Sequence, residues 1–176
     1  KFIIMELHNI IGILLVVIVL CYFVYDVYGM RHTFGYLINN DKLMLSKYTK
    51  TQLKPIVDMF LNDLCLKYGV PVPKYQYSDL TKNDDVQAVG EYLHQTKMIL
   101  IDYDEIVKLD GDVGILTNIL CHEFIHYVDH LDLESQGKDF NEVYGNRQDF
   151  YETRATDIGG KDNQKLLKKY IKNGEL

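Results

Sequence analysis

The chain has 176 residues, enough for one modest catalytic domain with a short appendage. Its 25 acidic residues outnumber 19 basic ones, and with a net charge of −6 it has no basic stripe to hold a nucleic acid. Three widely spaced cysteines, Cys21, Cys65 and Cys121, make no disulfide framework and fit a reducing compartment.

Residues 7–25 carry no formal charge and are almost wholly aliphatic and aromatic from residue 10 onward. At the helical rise they extend about 28 Å, one hydrocarbon core. They predict a single transmembrane helix within an anchor over residues 1–28. His8 and Asn9 lie at one interface, and Tyr22, Tyr25 and Tyr28 form an aromatic belt at the other. A buried core helix is the first rival, but a run this apolar all round rarely serves a small soluble domain. A cleaved signal peptide is the second, with a boundary of bulky residues that suits cleavage poorly. Arg31, Lys42, Lys47 and Lys50 follow the span and only Lys1 precedes it, which orients the C-terminal part toward the cytoplasm. Residues 29–50 read as a juxtamembrane linker, His32 being a polar residue near the membrane surface, and residues 51–176 as the main domain.

Residues 51–68 predict an amphipathic helix with Leu53, Ile56, Val57, Phe60, Leu61 and Leu64 at helical spacing. Thr51 is the expected cap, Pro55 falls early enough to be tolerated, and Gly69 ends the helix ahead of Pro71 and Pro73. Three extended segments follow, residues 74–78, 86–94 and 97–102, separated by a polar turn at 78–85 and by Gln95 and Thr96. The last, KMILID, is the most strand-like and is the expected place for an extended peptide to add as a further strand. His94 reads as surface, and Asp102, Asp104 and Glu105 as a solvated strand exit.

Residues 120–132 read LCHEFIHYVDHLD and contain His122-Glu123-Phe124-Ile125-His126, an H-E-x-x-H motif. Histidines four apart lie one above the other on a helix, so two imidazoles can take two corners of a tetrahedral zinc. Glu123 projects beside them, where a general base is needed to draw a proton from an attacking water. Ile115, Leu116, Ile119 and Leu120 before the motif, with Phe124, Ile125 and Val128 through it, supply the buried helix the motif requires, and Asp112 its cap. Cys121 points about 100° away around the helix and belongs to the core. After it, residues 133–148 read as a mobile loop, 149–158 as a helix stopped by Gly159-Gly160, and 161–172 as a separate basic helix.

A catalytic zinc takes three protein ligands and leaves one position open. Glu152, on the following helix, is the first candidate for the third ligand. Asp132 requires the motif helix to break after His126, and Asp129, one turn beyond His126, requires strain. Asp129 and Asp157 otherwise suit a place behind the ligand histidines, accepting a ring N–H. Tyr144, Tyr151 and Arg154 are the candidate donors for an oxyanion.

HEFIHYVDH followed by YETRATDIGG resembles the mitochondrial inner-membrane metallopeptidases that process an ATP-synthase subunit. Their H-E-x-x-H-x-x-D and E-x-R-A motifs fall on His122, Glu123, His126, Asp129, Glu152, Arg154 and Ala155. The likeness covers residues 122–160; the amino-terminal span and the scarcity of cysteine depart from that family. The layout also looks like the minimal zinc peptidases of phages and mobile elements. What these resemblances imply is a small α+β, gluzincin-like zincin fold, a short mixed sheet packed on the motif helix with substrate along an edge strand. The expected function is a membrane-anchored zinc metalloendopeptidase acting on a protein or peptide. The alternatives are a non-enzymatic membrane protein with a structural zinc, and a secreted metallotoxin. A structural site needs no carboxylate beside its first histidine and usually uses cysteine.

Overall fold

The computed structural model describes residues 43–80 and 88–176. All of them belong to one compact unit, Asp41–Leu176. The membrane span expected at residues 7–25, with most of the linker behind it, lies outside the described residues. Among the described residues no helix is long and apolar enough to cross a membrane.

The class is α+β, with five helices and one three-stranded mixed sheet among the described residues. Helix α1 is Lys50–Tyr68. Its cap is Thr49 rather than Thr51: the Thr49 hydroxyl accepts from the Gln52 peptide N–H at 3.3 Å and the Gln52 side chain accepts from the Thr49 N–H at 2.8 Å. This reciprocal pair satisfies two orphan donors of the first turn, which a lone Thr51 could not do. Leu53, Val57, Phe60, Leu61 and Leu64 form its buried stripe. At the far end Gly69 takes the left-handed conformation (φ 66°) that closes the helix. Leu43 and Leu45 are buried, and the Tyr103 hydroxyl donates to the Leu45 carbonyl at 3.2 Å. The chain is therefore part of this domain well before residue 51.

Strands β1 (Lys74–Tyr77), β2 (Gly90–Leu93) and β3 (Met98–Ile101) are ordered β1-β3-β2. β3 pairs parallel with β1 and antiparallel with β2. The most strand-like segment of the sequence thus occupies the centre and cannot accept a peptide on either side. An apolar run with β-branched residues suits a strand with two partners, and β2 takes an edge that is open among the described residues. Ile99 and Ile101 turn one face of the sheet into the core.

Asp102 is not a solvated exit. It is 2% exposed, and its carboxylate accepts the peptide N–H of Glu105 at 3.0 Å, capping α2 (Tyr103–Lys108), and that of Leu80 at 2.8 Å. Helix α3 (Val113–Ser135) then runs unbroken, capped by Asp112 through the Ile115 N–H at 2.9 Å. It is the spine of the fold, with the sheet on one side and the C-terminal helix on another.

The segment expected to be a loop after α3 holds a helix, α4 (Phe140–Asn146), capped by Asp139 through the Glu142 N–H. Only Arg147 separates it from α5, and α5 (Gln148–Asn173) continues straight through Gly159 and Gly160. Glycine there serves contact rather than termination. A Cβ on Gly159 would stand 3.0 Å from the carbonyl carbon and oxygen of Cys121 and from the His122 nitrogen. The missing side chain lets α5 lie directly on the α3 backbone at the motif. At its far end α5 is fastened to α1: Tyr170 packs on Phe60 with ring centroids 5.0 Å apart, its hydroxyl donates to Asp63 at 2.8 Å, and Lys169 pairs with the same carboxylate.

Candidate metal centre

His122 and His126 are one turn apart on α3, and their Nε2 atoms lie 3.1 Å from each other. From α5, Glu152 brings Oε2 to 3.3 Å from His122 Nε2 and Oε1 to 3.5 Å from His126 Nε2. For metal–ligand bonds near 2.05 Å, the edge of a tetrahedron is about 3.3 Å, so the three separations are those of three corners around one zinc. It is the only group of three or more His, Cys, Asp or Glu among the described residues whose donor atoms converge in this way. Two imidazoles and one carboxylate also form a donor set that zinc accepts in catalytic sites. Burial holds His126 down at about 4, Glu152 opposing and His122 reinforcing, so its ring is neutral and able to ligate.

The other sequence candidates separate cleanly. Asp132 is exposed on the unbroken helix and accepts from Gln136 at 2.9 Å. Asp129 is buried and paired with Arg154, the residue two positions beyond Glu152, so this ion pair sets the register of α5 on α3. Burial raises Asp129 to about 6, with Arg154 pulling against it and Asp132 adding to it. Two fully buried atoms, Asp129 Oδ2 and His126 Nδ1, have no hydrogen-bond partner in the protein. The Tyr144 hydroxyl donates to Glu152 Oε1, and its ring stands 5.6 Å from that of His126. Tyr151 is buried with Leu133 and Phe140, and Asp157 is exposed. His94 packs on Phe140, away from the trio, and Cys121 is a buried free thiol.

Glu123 is 8% exposed. Burial raises its carboxyl to about 8, the charges of Glu152 and Glu91 add to this, and a hydrogen bond from the Tyr92 backbone opposes it. Strand β2 presses on the helix at this point, since a Cβ on Gly90 would stand 2.4 Å from Ile119 Cγ2 and 3.1 Å from Glu123 Oε1. The Tyr92 hydroxyl meets His130 Nδ1 at 2.8 Å, a second fastening of β2 to α3. Sequence reasoning missed Gly90 and Tyr92. A glycine inside a strand pattern does signal close backbone approach, which was the available clue.

Comparison of the chain with family models, with curated proteins and with solved structures finds no match.

Proposed function

We propose that this protein is a zinc-dependent metalloendopeptidase of the zincin type, anchored to a membrane by residues 7–25 with its catalytic domain on the cytoplasmic side. The observation that carries the reading is the convergence of His122, His126 and Glu152 at tetrahedral spacing beside a buried Glu123. Zinc held there supplies a Lewis acid that acidifies water toward neutrality and polarises a scissile carbonyl. Glu123 takes the water's proton and delivers it to the departing amine nitrogen. The charge of a zinc ion held by the trio would favour the ionised form of Glu123, against the burial that otherwise keeps it protonated. Tyr144 is the donor assigned to the oxyanion: its hydroxyl already reaches the trio at Glu152 and would exchange that carboxylate for the oxyanion, whereas Arg154 is held away by Asp129 and Tyr151 is buried in the core. The edge of β2 that is open among the described residues runs past Glu123 and is the place for an extended peptide. Structural zinc without catalysis is the weaker reading, since it leaves a buried carboxyl beside the site without a purpose.

The test pairs metal analysis with peptide hydrolysis for the full-length chain and two variants. Glu123→Gln should keep zinc and lose about 10²–10⁴-fold in rate. Glu152→Gln should lose zinc affinity and activity together, with excess zinc restoring part of the rate. Wild-type turnover by Glu123→Gln would sink the mechanism, and undiminished zinc affinity in Glu152→Gln would remove the third ligand.

A further inference from the structure

Strand β2 has one side open among the described residues. Val89 accepts the Asp102 N–H at 2.9 Å, and the antiparallel register pairs Glu91 with Leu100 and Leu93 with Met98. The alternation of an antiparallel ladder then turns the peptide groups of Gly90 and Tyr92 toward the free edge. Successive side chains alternate, and Gly90 and Tyr92 face α3, so Glu91 and Leu93 stand on the outer face of the sheet.

On that face Glu91 lies in a row with Leu100 and Gln76, and Leu93 in a row with Met98 and Lys74. Glu91 is exposed and neither row neighbour carries charge. Lys74 is two strands away, about 10 Å across the sheet, and among the described residues no cation pairs with Glu91. Leu93, Met98 and Leu100 are half-buried and form an apolar strip beside it.

We propose that Glu91 is a specificity-determining residue: an extended peptide paired with the free edge of β2 carries a basic side chain abreast of Glu91 and an apolar one two positions away, beside Leu93. This rests on the peptidase reading above. In an added strand the residue opposite Glu91 shares its face with Cβ atoms about 5 Å apart, close enough for an ion pair. An acidic residue there meets Glu91 directly, with Glu123 and Glu152 nearby, and is rejected.

The experiment uses short capped peptides in which each position in turn carries Lys, Gln or Glu. Their kcat/KM is measured with the zinc-loaded full-length chain, and their binding by fluorescence anisotropy with Glu123→Gln. Wild type should favour Lys over Glu at a single position by roughly two- to tenfold, less so at high salt. Glu91→Gln should abolish that preference and Glu91→Lys should invert it at the same position. The ratio within each variant is read, so loss of folded protein does not enter. A Lys preference that survives Glu91→Lys, or no preference for Lys at any position, overturns the proposal. If the wild type cleaves none of the peptides, the peptidase reading falls, and the binding ratios, including an absence of binding, still decide the role of Glu91.

Discussion

Gly159 and Gly160 are neighbours in α5, and alanine at the two positions should act in opposite directions. Alanine is favoured over glycine in a helix interior by about 1 kcal/mol. At Gly160 nothing opposes this, because the nearest atom to a new methyl is Asn118 Oδ1 at 3.9 Å. Gly160→Ala should therefore gain about 1 kcal/mol, or about 2–4 °C in Tm for a chain of this size. At Gly159 the methyl would meet backbone atoms of Cys121 and His122 at 3.0 Å. No side chain can rotate away there, so the helices must part by about 0.5 Å to restore ordinary contact. Overpacking costs about 1–3 kcal/mol, and the propensity gain offsets about 1 of it. The two variants should thus differ by about 1–3 kcal/mol and melt about 2–12 °C apart. Thermal unfolding followed by circular dichroism measures this, and a chelator competition measures zinc affinity. Only Gly159→Ala should bind zinc more weakly, because α5 carries Glu152. Equal stabilisation by both alanines would refute the close approach of α5 to the motif.

Removing the cation from the Asp129 pair should also be costly. Arg154→Met leaves a buried carboxyl without its partner, at about 3 kcal/mol, the low end for a broken buried pair because Arg154 is one-third exposed; unchanged stability in urea would show that the pair does not hold α5 to α3. Asp63 gives a pH dependence. Burial pushes its carboxyl up, but hydrogen bonds from Lys169 and Tyr170 and the Lys169 charge outweigh this and hold it below the ordinary 3.8. A folded-state value below the unfolded one contributes stability that is present above 3.8 and is lost as pH falls through the folded value. Asp63→Asn should therefore be less stable than wild type at neutral pH and converge with it in acid; a gap constant down to about pH 2 would contradict the assignment.

What the sequence made legible was what depends on local spacing. The two histidines share a helix face because they are four apart, and Asp112 and Gly69 bound their helices by local chemistry. The order of the strands depends on pairing between distant segments, so KMILID could be read as a strand but not as the central one. Asp102 looked solvated because nothing near it in sequence tells of the Leu80 N–H that it satisfies. Gly159-Gly160 looked like a stop, since conformational freedom is the commonest use of glycine and a helix contact is visible only in three dimensions. Helix α4 is too short to show a period. Glu152 lies 26 residues beyond His126, and only packing of α5 on α3 joins them.

Helix α5 is also a lever. Its fulcrum is Gly159, where it rests on α3; Glu152 is seven residues to one side and Tyr170 eleven to the other. At 1.5 Å per residue the arms measure about 10 and 16 Å. A rigid tilt that moves the Tyr170 end by 1 Å thus displaces Glu152 by about 0.6 Å, while ligand distances in metal sites hold within about 0.2 Å. The contacts of Tyr170 with Phe60 and Asp63 are therefore part of the metal centre's tolerance, although no ligand comes from that end. Tyr170→Phe, which removes the hydroxyl and keeps the ring, should weaken zinc binding in the chelator competition; an unaltered dissociation constant would mean that α5 bends before it tilts.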